Sequence, residues 1–124
     1  MGYESKIYVV QEYEPIFGTE RLGYGDIIAV FDLCKMGYEL YNGKSFRDLF
    51  NQKRTCEFYA DDGNTIIKED CYGDEIQKAD PKEVIAWLKQ MTKGDSWYRP
   101  KVFYKFLLEL EKTGTEYSLY HYGY

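Results

Sequence analysis

Alternating apolar and polar positions predict a β-strand near each end of the chain. Residues 6–11 alternate in this way and are rich in β-branched and aromatic side chains, which favour strands. Residues 116–122 form a second stretch of this kind, dominated by tyrosine. Pro15 ends the first strand, because proline has no N–H to donate to a neighbouring strand, and a glycine-containing loop follows it.

The apolar run at 27–31 is compatible with two structures. Asp26 could cap a helix that Gly37 would stop. The run is nevertheless composed of β-branched and aromatic residues, which favours a strand that is apolar on both faces and therefore central in its sheet. We predict a strand over 26–36.

The strongest pattern in the sequence predicts a β-hairpin. Residues 55–60 and 65–68 flank a turn at 61–64, and the Asp62-Gly63 pair at its centre favours a type I′ turn because glycine accepts positive φ. The pairs that face each other in this register are Phe58 with Ile67 and Tyr59 with Ile66.

Capping residues and helical spacing predict three helices, at 45–52, from 80 to a stop at Gly94, and at 99–113 with a stop at Gly114. The capping residues are Ser45 and Asp48 for the first helix, and Asp80, Pro81 and Glu83 as N-cap, N1 and N3 for the second. The apolar stripes are Val84, Ile85, Trp87, Leu88 and Met91, then Val102, Phe103, Phe106, Leu107 and Leu110.

These elements predict a single α+β domain over residues 1–124, in the order β-β-α-β-β-α-α-β. We expect an antiparallel sheet of about five strands with the helices packed on one face. A chain of 124 residues is long enough to build its own core.

Negative charge is concentrated in one segment, 57–80. It holds eight carboxylates against two lysines, a net charge of −6 in a chain whose total is −5. Such a surface repels phosphate backbones, so we expect no direct binding to nucleic acid. No apolar run is long enough for a membrane span, and no signal-peptide pattern opens the chain, so we expect a cytoplasmic protein.

Residues that could support catalysis are few, and we predict that the chain is not an enzyme. His121 is the sole histidine and has no nucleophile motif beside it, so we expect a partly packed or exposed structural histidine. Asp32 in the apolar strand could be a functional carboxylate with a raised pKa, but pairing with an Arg, Lys or Tyr, or a place near the strand's end, is the more common case. The three cysteines, which we expect to be unpaired and buried, are Cys34, Cys56 and Cys71.

The sequence also lacks the motif spacings that are typical of metal and cofactor sites. The acidic turn at 61–64 lacks the spacing of a calcium loop, and the cysteines lack zinc-ligand spacing. Gly23 and Gly25 precede the apolar strand but belong to no phosphate-binding motif. We therefore predict no metal and no cofactor.

Four stretches of the sequence resemble small uncharacterised proteins carried by bacteriophages and prophages of Gram-positive bacteria. They are MGYESKIYVV, GYGDIIAVFDLCKMG, FYADDGNTIIKEDCYGD and the terminal YHYGY. The resemblance implies a phage accessory protein, a class that includes anti-CRISPR and other anti-defence inhibitors. It carries over no functional residue.

The acidic segment and the tyrosines together suggest a binding function. An ordinary solvated surface accounts for the charges equally well, but carboxylates on a rigid hairpin can present charges spaced like phosphates to a protein with a basic nucleic-acid groove. We therefore predict an inhibitor or adaptor acting on a host protein in the bacterial cytosol. Alternatives are a module that sequesters a nucleotide-like signal, a virion component, and binding through the tyrosine-rich C-terminal strand. The residues predicted to bind the partner are Asp61, Asp62, Glu69, Asp70, Asp74 and Glu75, with Tyr59 and Tyr72 as aromatic anchors.

Overall fold

The computed structural model describes residues 5–13, 23–33, 40–41, 43–59, 66–69, 73–93 and 98–123. This part of the chain forms seven strands, one 3₁₀ helix and two α-helices. Their bounds in chain order are β1 Ser5–Tyr13, β2 Gly23–Asp32, β3 Leu40–Tyr41, β4 Lys44–Ser45, the 3₁₀ helix Arg47–Leu49, β5 Cys56–Glu57, β6 Gln77–Ala79, α1 Pro81–Met91, α2 Tyr98–Lys112 and β7 Tyr117–Gly123.

Five strands form one sheet in the order β5-β2-β1-β7-β6, curled as a half-barrel. The α+β class and the strand number are confirmed, whereas the expectation of a purely antiparallel sheet is wrong. β5 runs parallel to β2, with Gly23 opposite Cys56 and Tyr24 opposite Glu57. The chain returns to the start of β2 only after β3, β4 and the 3₁₀ helix, and a long return of this kind is what a parallel pair requires.

The central strand is β1, which pairs along its length with β2 on one side and β7 on the other. A strand rather than a helix is confirmed for the run predicted over 26–36, but β2 begins three residues earlier than predicted and ends at Asp32, and 34–36 lie outside the described residues. Its central position is wrong, because β5 covers only its first two residues. A β-bulge beside Val9 and Val10 leaves Ile28 without an opposite residue, since Val10 pairs with Ile27 and Val9 with Ala29. Ile28 is accordingly 38% exposed.

The two faces of the sheet carry separate hydrophobic clusters. Ile7 and Val9 of β1 face the helices, whose core side chains are Val84, Trp87, Leu88, Phe103 and Leu107. Tyr8 and Val10 point to the other face, onto a cluster that includes Cys56, Phe58, Ile67, Ile76 and Tyr120. Each large side chain buried in this way contributes about 1.5–3 kcal/mol. The prediction that the helices pack on one face is confirmed, and the segment after β5 covers the other face.

Local residues account for the start of α1 and the end of α2, whereas the predicted stop at Gly94 lies outside the described residues. The Asp80 side chain accepts a hydrogen bond from the Lys82 backbone N–H at 3.0 Å, with Pro81 in the first turn. α2 is followed by Gly114 at φ +73°, a left-handed conformation that glycine adopts readily. In α2 the prediction fails at Val102, which is 52% exposed. Val102 lies about 100° around the helix from the buried Phe103, which turns it towards solvent.

The helix predicted at 45–52 is only the 3₁₀ helix Arg47–Leu49. The predicted pair of residues does form reciprocal hydrogen bonds: Ser45 Oγ accepts from Asp48 N at 3.2 Å, and Ser45 N donates to Asp48 Oδ2 at 3.1 Å. The N-cap residue of the 3₁₀ helix is nevertheless Phe46, not Ser45. Phe46 and Leu49 are both buried, and their spacing of three residues matches the 3₁₀ repeat, in which such residues align on one face. The segment therefore forms a short buried turn rather than a longer helix.

The predicted hairpin register is confirmed, but its strands are shorter than expected. Tyr59 stands opposite Ile66 in an antiparallel bridge, and Ile67 N donates to Phe58 O at 2.9 Å. The two arms are joined by an isolated bridge, the ladder pairing of the first arm is that of β5 with β2, and the second arm, predicted at 65–68, forms no named strand in its described residues. The turn at 61–64 lies outside the described residues. The fifth strand of the sheet is β6, which the alternation of apolar and polar residues did not predict.

Candidate functional site

The residues predicted to bind a partner are partly described. Asp61, Asp62, Asp70 and Tyr72 lie outside the described residues, and Tyr59, Glu69, Asp74 and Glu75 lie within them. Glu69 and Glu75 are exposed and stand directly opposite each other in an antiparallel bridge. Tyr59 belongs to a different place in the fold, because its ring packs against Tyr24. The fold therefore brings together two glutamates that the prediction treated only as neighbours in sequence.

The opposed glutamates create local repulsion, because like charges directly across a strand pair are destabilising. Arg54 offsets part of it: its Nε atom lies 4.0 Å from Glu75 Oε1, and its side chain is only 11% exposed. Another guanidinium nitrogen of Arg54 donates to the Cys56 carbonyl at 3.4 Å, which orients the side chain. Arg54 thus places a cation beside Glu75 on the buried side of the opposed pair.

A depression of about 340 Å³ lies beside this acidic pair. Asp74 and Glu75 line it together with Arg47, Phe50 and His121. His121 is 7% exposed, and its ring centroid lies 5.2 Å from that of Phe50. The expectation that His121 is partly packed or exposed is therefore wrong. The residue is buried, because β7 pairs with β1 on one side and with β6 on the other and so lies inside the sheet. The depression therefore combines two carboxylates and one arginine with the rings of Phe50 and His121.

A polar cluster that the sequence analysis missed lies between β1, β5, β6 and β7. Glu12 Oε1 accepts from Thr55 Oγ1 at 2.5 Å and from Tyr120 Oη at 3.3 Å. Lys78 Nζ donates to Thr55 Oγ1 at 2.8 Å, and Tyr120 Oη lies 3.4 Å from Cys56 Sγ. These contacts join residues up to 108 positions apart, so no local pattern in the sequence signals them.

Burial sets the protonation states in this cluster. It raises the pKa of the Cys56 thiol from 9.0 to about 12 and also raises the pKa of Tyr120. Burial acts in the same direction on Glu12, but hydrogen bonds, first of all from Thr55, outweigh it and lower the pKa of that carboxyl group. At neutral pH Glu12 is charged while Cys56 is a protonated thiol. Because the thiolate is the nucleophile, Cys56 in this state does not favour covalent chemistry.

The expectation that Cys56 is buried and unpaired is confirmed. Cys34 and Cys71 lie outside the described residues. Gly25 allows the close approach to Cys56: a Cβ atom at this glycine would lie 2.5 Å from Val10 Cγ1 and 2.9 Å from Cys56 Sγ. The glycine noted in the sequence thus provides room for core packing.

A second depression of about 510 Å³ adjoins the polar cluster at the beginning of α1. Its ionisable carboxylates and ammonium groups sum to a negative charge. They are Glu12, Asp80, Glu111 and Glu116 against Lys78 and Lys82. A negative lining disfavours an anionic, nucleotide-like ligand.

Asp32 is not a buried functional carboxylate. It ends β2 with a side chain that is 56% exposed, and Arg99 lies 3.8 Å from Asp32 Oδ1. Arg99 also donates to the Asp32 carbonyl at 2.9 Å. The ordinary expectation for this residue, a place at the strand's end and an arginine partner, is therefore confirmed. The strand predicted over 26–36 would have put Asp32 near its middle, and that position is wrong.

The C-terminal strand is confirmed as β7, but it offers little surface for a partner. It is hydrogen-bonded to β1 on one side and β6 on the other. Tyr120 has no exposed surface, and Tyr117 and Tyr122 are half-buried. The tyrosines of β7 therefore serve the core more than the surface.

Within the ranges that the structure describes, no group of three or more His, Cys, Asp or Glu side chains could hold a metal ion. None of the helices in these ranges has the length and apolar character needed to cross a membrane. Comparison of the chain with protein-family models, with curated proteins and with solved structures finds no match.

Proposed function

We propose that this chain is a non-enzymatic binding protein whose acidic surface, defined by Glu69, Asp74 and Glu75, binds a basic protein. The opposition of Glu69 and Glu75 carries the proposal. Two exposed carboxylates held directly across a strand pair reduce the stability of the free protein. A cationic partner placed between them removes this repulsion and gains the charge interaction at the same time.

The partner that best fits this surface is a protein with a groove for nucleic acid. Such a groove is lined by Lys and Arg that normally hold phosphates. The carboxylates of the acidic surface, with the predicted binding residues Asp61, Asp62 and Asp70 that are close to them in the sequence, meet the same need. Long-range attraction speeds the encounter at low ionic strength. An inhibitor or adaptor of phage origin, acting on a host protein in the bacterial cytosol as an anti-defence factor, has this chemistry.

The alternative of a module that sequesters a nucleotide-like signal has less support. The larger depression has a suitable volume for a small ligand, about 510 Å³. Its lining is negative, however, and a negative lining disfavours an anionic ligand. We therefore place the function on the acidic surface rather than in this depression.

The proposal is tested by capturing host proteins on the immobilised chain, either as the wild type or with carboxylates of the acidic surface replaced by lysine. The variant Asp74→Lys/Glu75→Lys reverses two exposed carboxylates of the acidic surface, and Glu109→Lys/Glu116→Lys makes the same change of net charge elsewhere. In a lysate of a Gram-positive bacterium, the wild-type chain is expected to retain basic nucleic-acid-binding proteins, identified by mass spectrometry. High salt or added double-stranded DNA should release them.

The matched variants decide the result. Reversal at Asp74 and Glu75 should reduce retention of those proteins at least tenfold, because a charge removed from a desolvated pair costs several kcal/mol. The control variant should retain them, and both variants should melt within a few degrees of the wild type. Equal retention by the two variants, or release that ignores salt and DNA, contradicts the proposal.

A further inference from the structure

Three tyrosines from separate segments of the chain lie together on one small area of the surface. Tyr13 of β1 stands opposite Tyr24 of β2, and Tyr24 stands opposite Glu57 of β5. Side chains two residues apart in an extended segment share a face, so Tyr59 lies on the same side as Glu57, and Asp26 on the same side as Tyr24. The rings of Tyr24 and Tyr59 confirm the arrangement, with centroids 6.2 Å apart and planes inclined by 55°.

These tyrosines are exposed although they lie on the face that the helices cover elsewhere. Ile7, Val9 and Phe31 occupy the covered end of this face, packed in the helix-side cluster. At the other end Tyr13 is 45% exposed, Tyr24 48% and Tyr59 38%. Cross-strand aromatic pairs stabilise a sheet, but that role does not require three neighbouring rings to remain half in water. An exposed apolar area of this kind typically marks an interaction surface.

The charges beside the tyrosines are negative. Asp26 stands opposite Gln11, two residues before Tyr13 on the same face of β1, so its carboxylate lies beside the tyrosines. Desolvation, the charge of Asp26 and a hydrogen bond to its carboxylate raise the pKa of Tyr13. Glu57 is half-buried beside Tyr24. Aromatic faces attract cations, and carboxylates at their margin supply the formal charge. Arginine suits such a site best, because its planar guanidinium stacks on rings and forms paired hydrogen bonds with a carboxylate.

We infer that Tyr13, Tyr24 and Tyr59, with Asp26 and Glu57, form a tyrosine patch that binds an arginine side chain of the basic partner. The inference rests on the proposed function for the identity of that partner. It adds a second contact, distinct from the acidic surface, which binds through stacked rings as well as through charge. The predicted anchor Tyr59 thus acts with two tyrosines that are 35 and 46 positions away in the sequence.

The test uses a blocked tri-arginine peptide as the probe and NMR signals of the tyrosine rings as the readout. Titration should shift the rings of Tyr13, Tyr24 and Tyr59 together and to saturation, and a blocked tri-lysine peptide should bind more weakly. Tyr24→Leu keeps an apolar side chain but removes a π-face, and should weaken tri-arginine binding about tenfold, the loss expected when a desolvated cation–π contact is removed. Tyr98→Leu is the matched control, because Tyr98 on α2 is 64% exposed.

A second variant keeps the test decisive if Tyr24→Leu does not fold. Tyr59 lies outside the named strands, so Tyr59→Leu should fold even if Tyr24→Leu does not, and it should also weaken peptide binding. Unchanged affinity in a folded tyrosine variant, an equal loss in Tyr98→Leu, or shifts confined to the depression beside Asp74 each overturn the inference.

The outcome also separates this inference from the proposed function. Loss of host-protein capture in Asp74→Lys/Glu75→Lys, with no peptide shift at the tyrosine patch, leaves the function standing and refutes the patch. Saturable peptide binding at the patch, with no basic protein captured by the wild-type chain, supports the patch and refutes the proposed function.

Discussion

Replacing Glu69 by lysine should make the free protein more stable while weakening its binding to a basic partner. In the native chain Glu69 faces Glu75 across an antiparallel bridge. The variant Glu69→Lys converts a repulsive cross-strand pair into an attractive one. Most surface substitutions change stability little or reduce it, so a gain at this position would be specific evidence for electrostatic strain in the acidic surface.

The size of the gain follows from the exposure of the pair. Removing a like-charge cross-strand pair and creating an opposite-charge pair contribute about 0.2–1 kcal/mol each. Glu75 has a side chain that is 68% exposed, and Arg54 already lies 4.0 Å from it. Solvent and Arg54 both reduce the effect, so we expect about 0.5–1 kcal/mol for Glu69→Lys. Glu69→Gln removes only the repulsion and should give about half of that value.

Urea unfolding at two ionic strengths measures this effect. The gain should be present at about 0.01 M salt and largely lost at about 1 M, where charges are screened within about 3 Å. Glu116→Lys makes the same change of net charge near the start of β7 and should not reproduce the gain. A Glu69→Lys variant that is less stable than the wild type, or whose gain survives high salt, would refute the argument from opposed carboxylates.

Two further predictions concern the core around Cys56. Gly25→Ala should lower the free energy of unfolding by about 1–3 kcal/mol, because its new methyl group meets Val10 and Cys56. Urea unfolding should show that Val10→Ala partly restores the stability of this variant. If the losses of stability from the two substitutions simply add, the steric explanation is contradicted. The Cys56 thiol, with its pKa raised to about 12, should resist a thiol reagent until the protein unfolds. Because the folded pKa exceeds the ordinary 9.0, the stability from this group is complete below pH 9 and is lost as the pH rises towards 12. Peptide mapping that finds Cys56 modified rapidly in the native protein would argue against its burial.

The sequence by itself determined those features that depend on neighbouring residues. Asp80 and Pro81 began α1 as predicted, and Ser45 and Asp48 formed their reciprocal hydrogen bonds even though the helix behind them is only a short 3₁₀ turn. The hairpin register of Tyr59 with Ile66 was also predictable. Caps, turns and register are set within a few residues, so local sequence contains the information that they need.

Only the tertiary structure decided which strands pair. β6 and β5 have three and two residues, too few for an alternating pattern to be detected. The parallel pairing of β5 with β2 depends on the path of the chain between them, and the central place of β1 depends on β7 from the other end of the chain. The apolar run of β2 could not indicate how far a neighbouring strand would extend along it.

The same distinction applies to the candidate sites. The acidic segment was visible because its carboxylates are close in sequence, but the opposition of Glu69 and Glu75 arises from the bridge between them. The tyrosine patch and the cluster of Glu12, Cys56 and Tyr120 join residues from distant segments. Contacts of this kind exist only after the sheet has formed, because strand pairing determines which side chains share a face. Composition alone does not predict which strands pair.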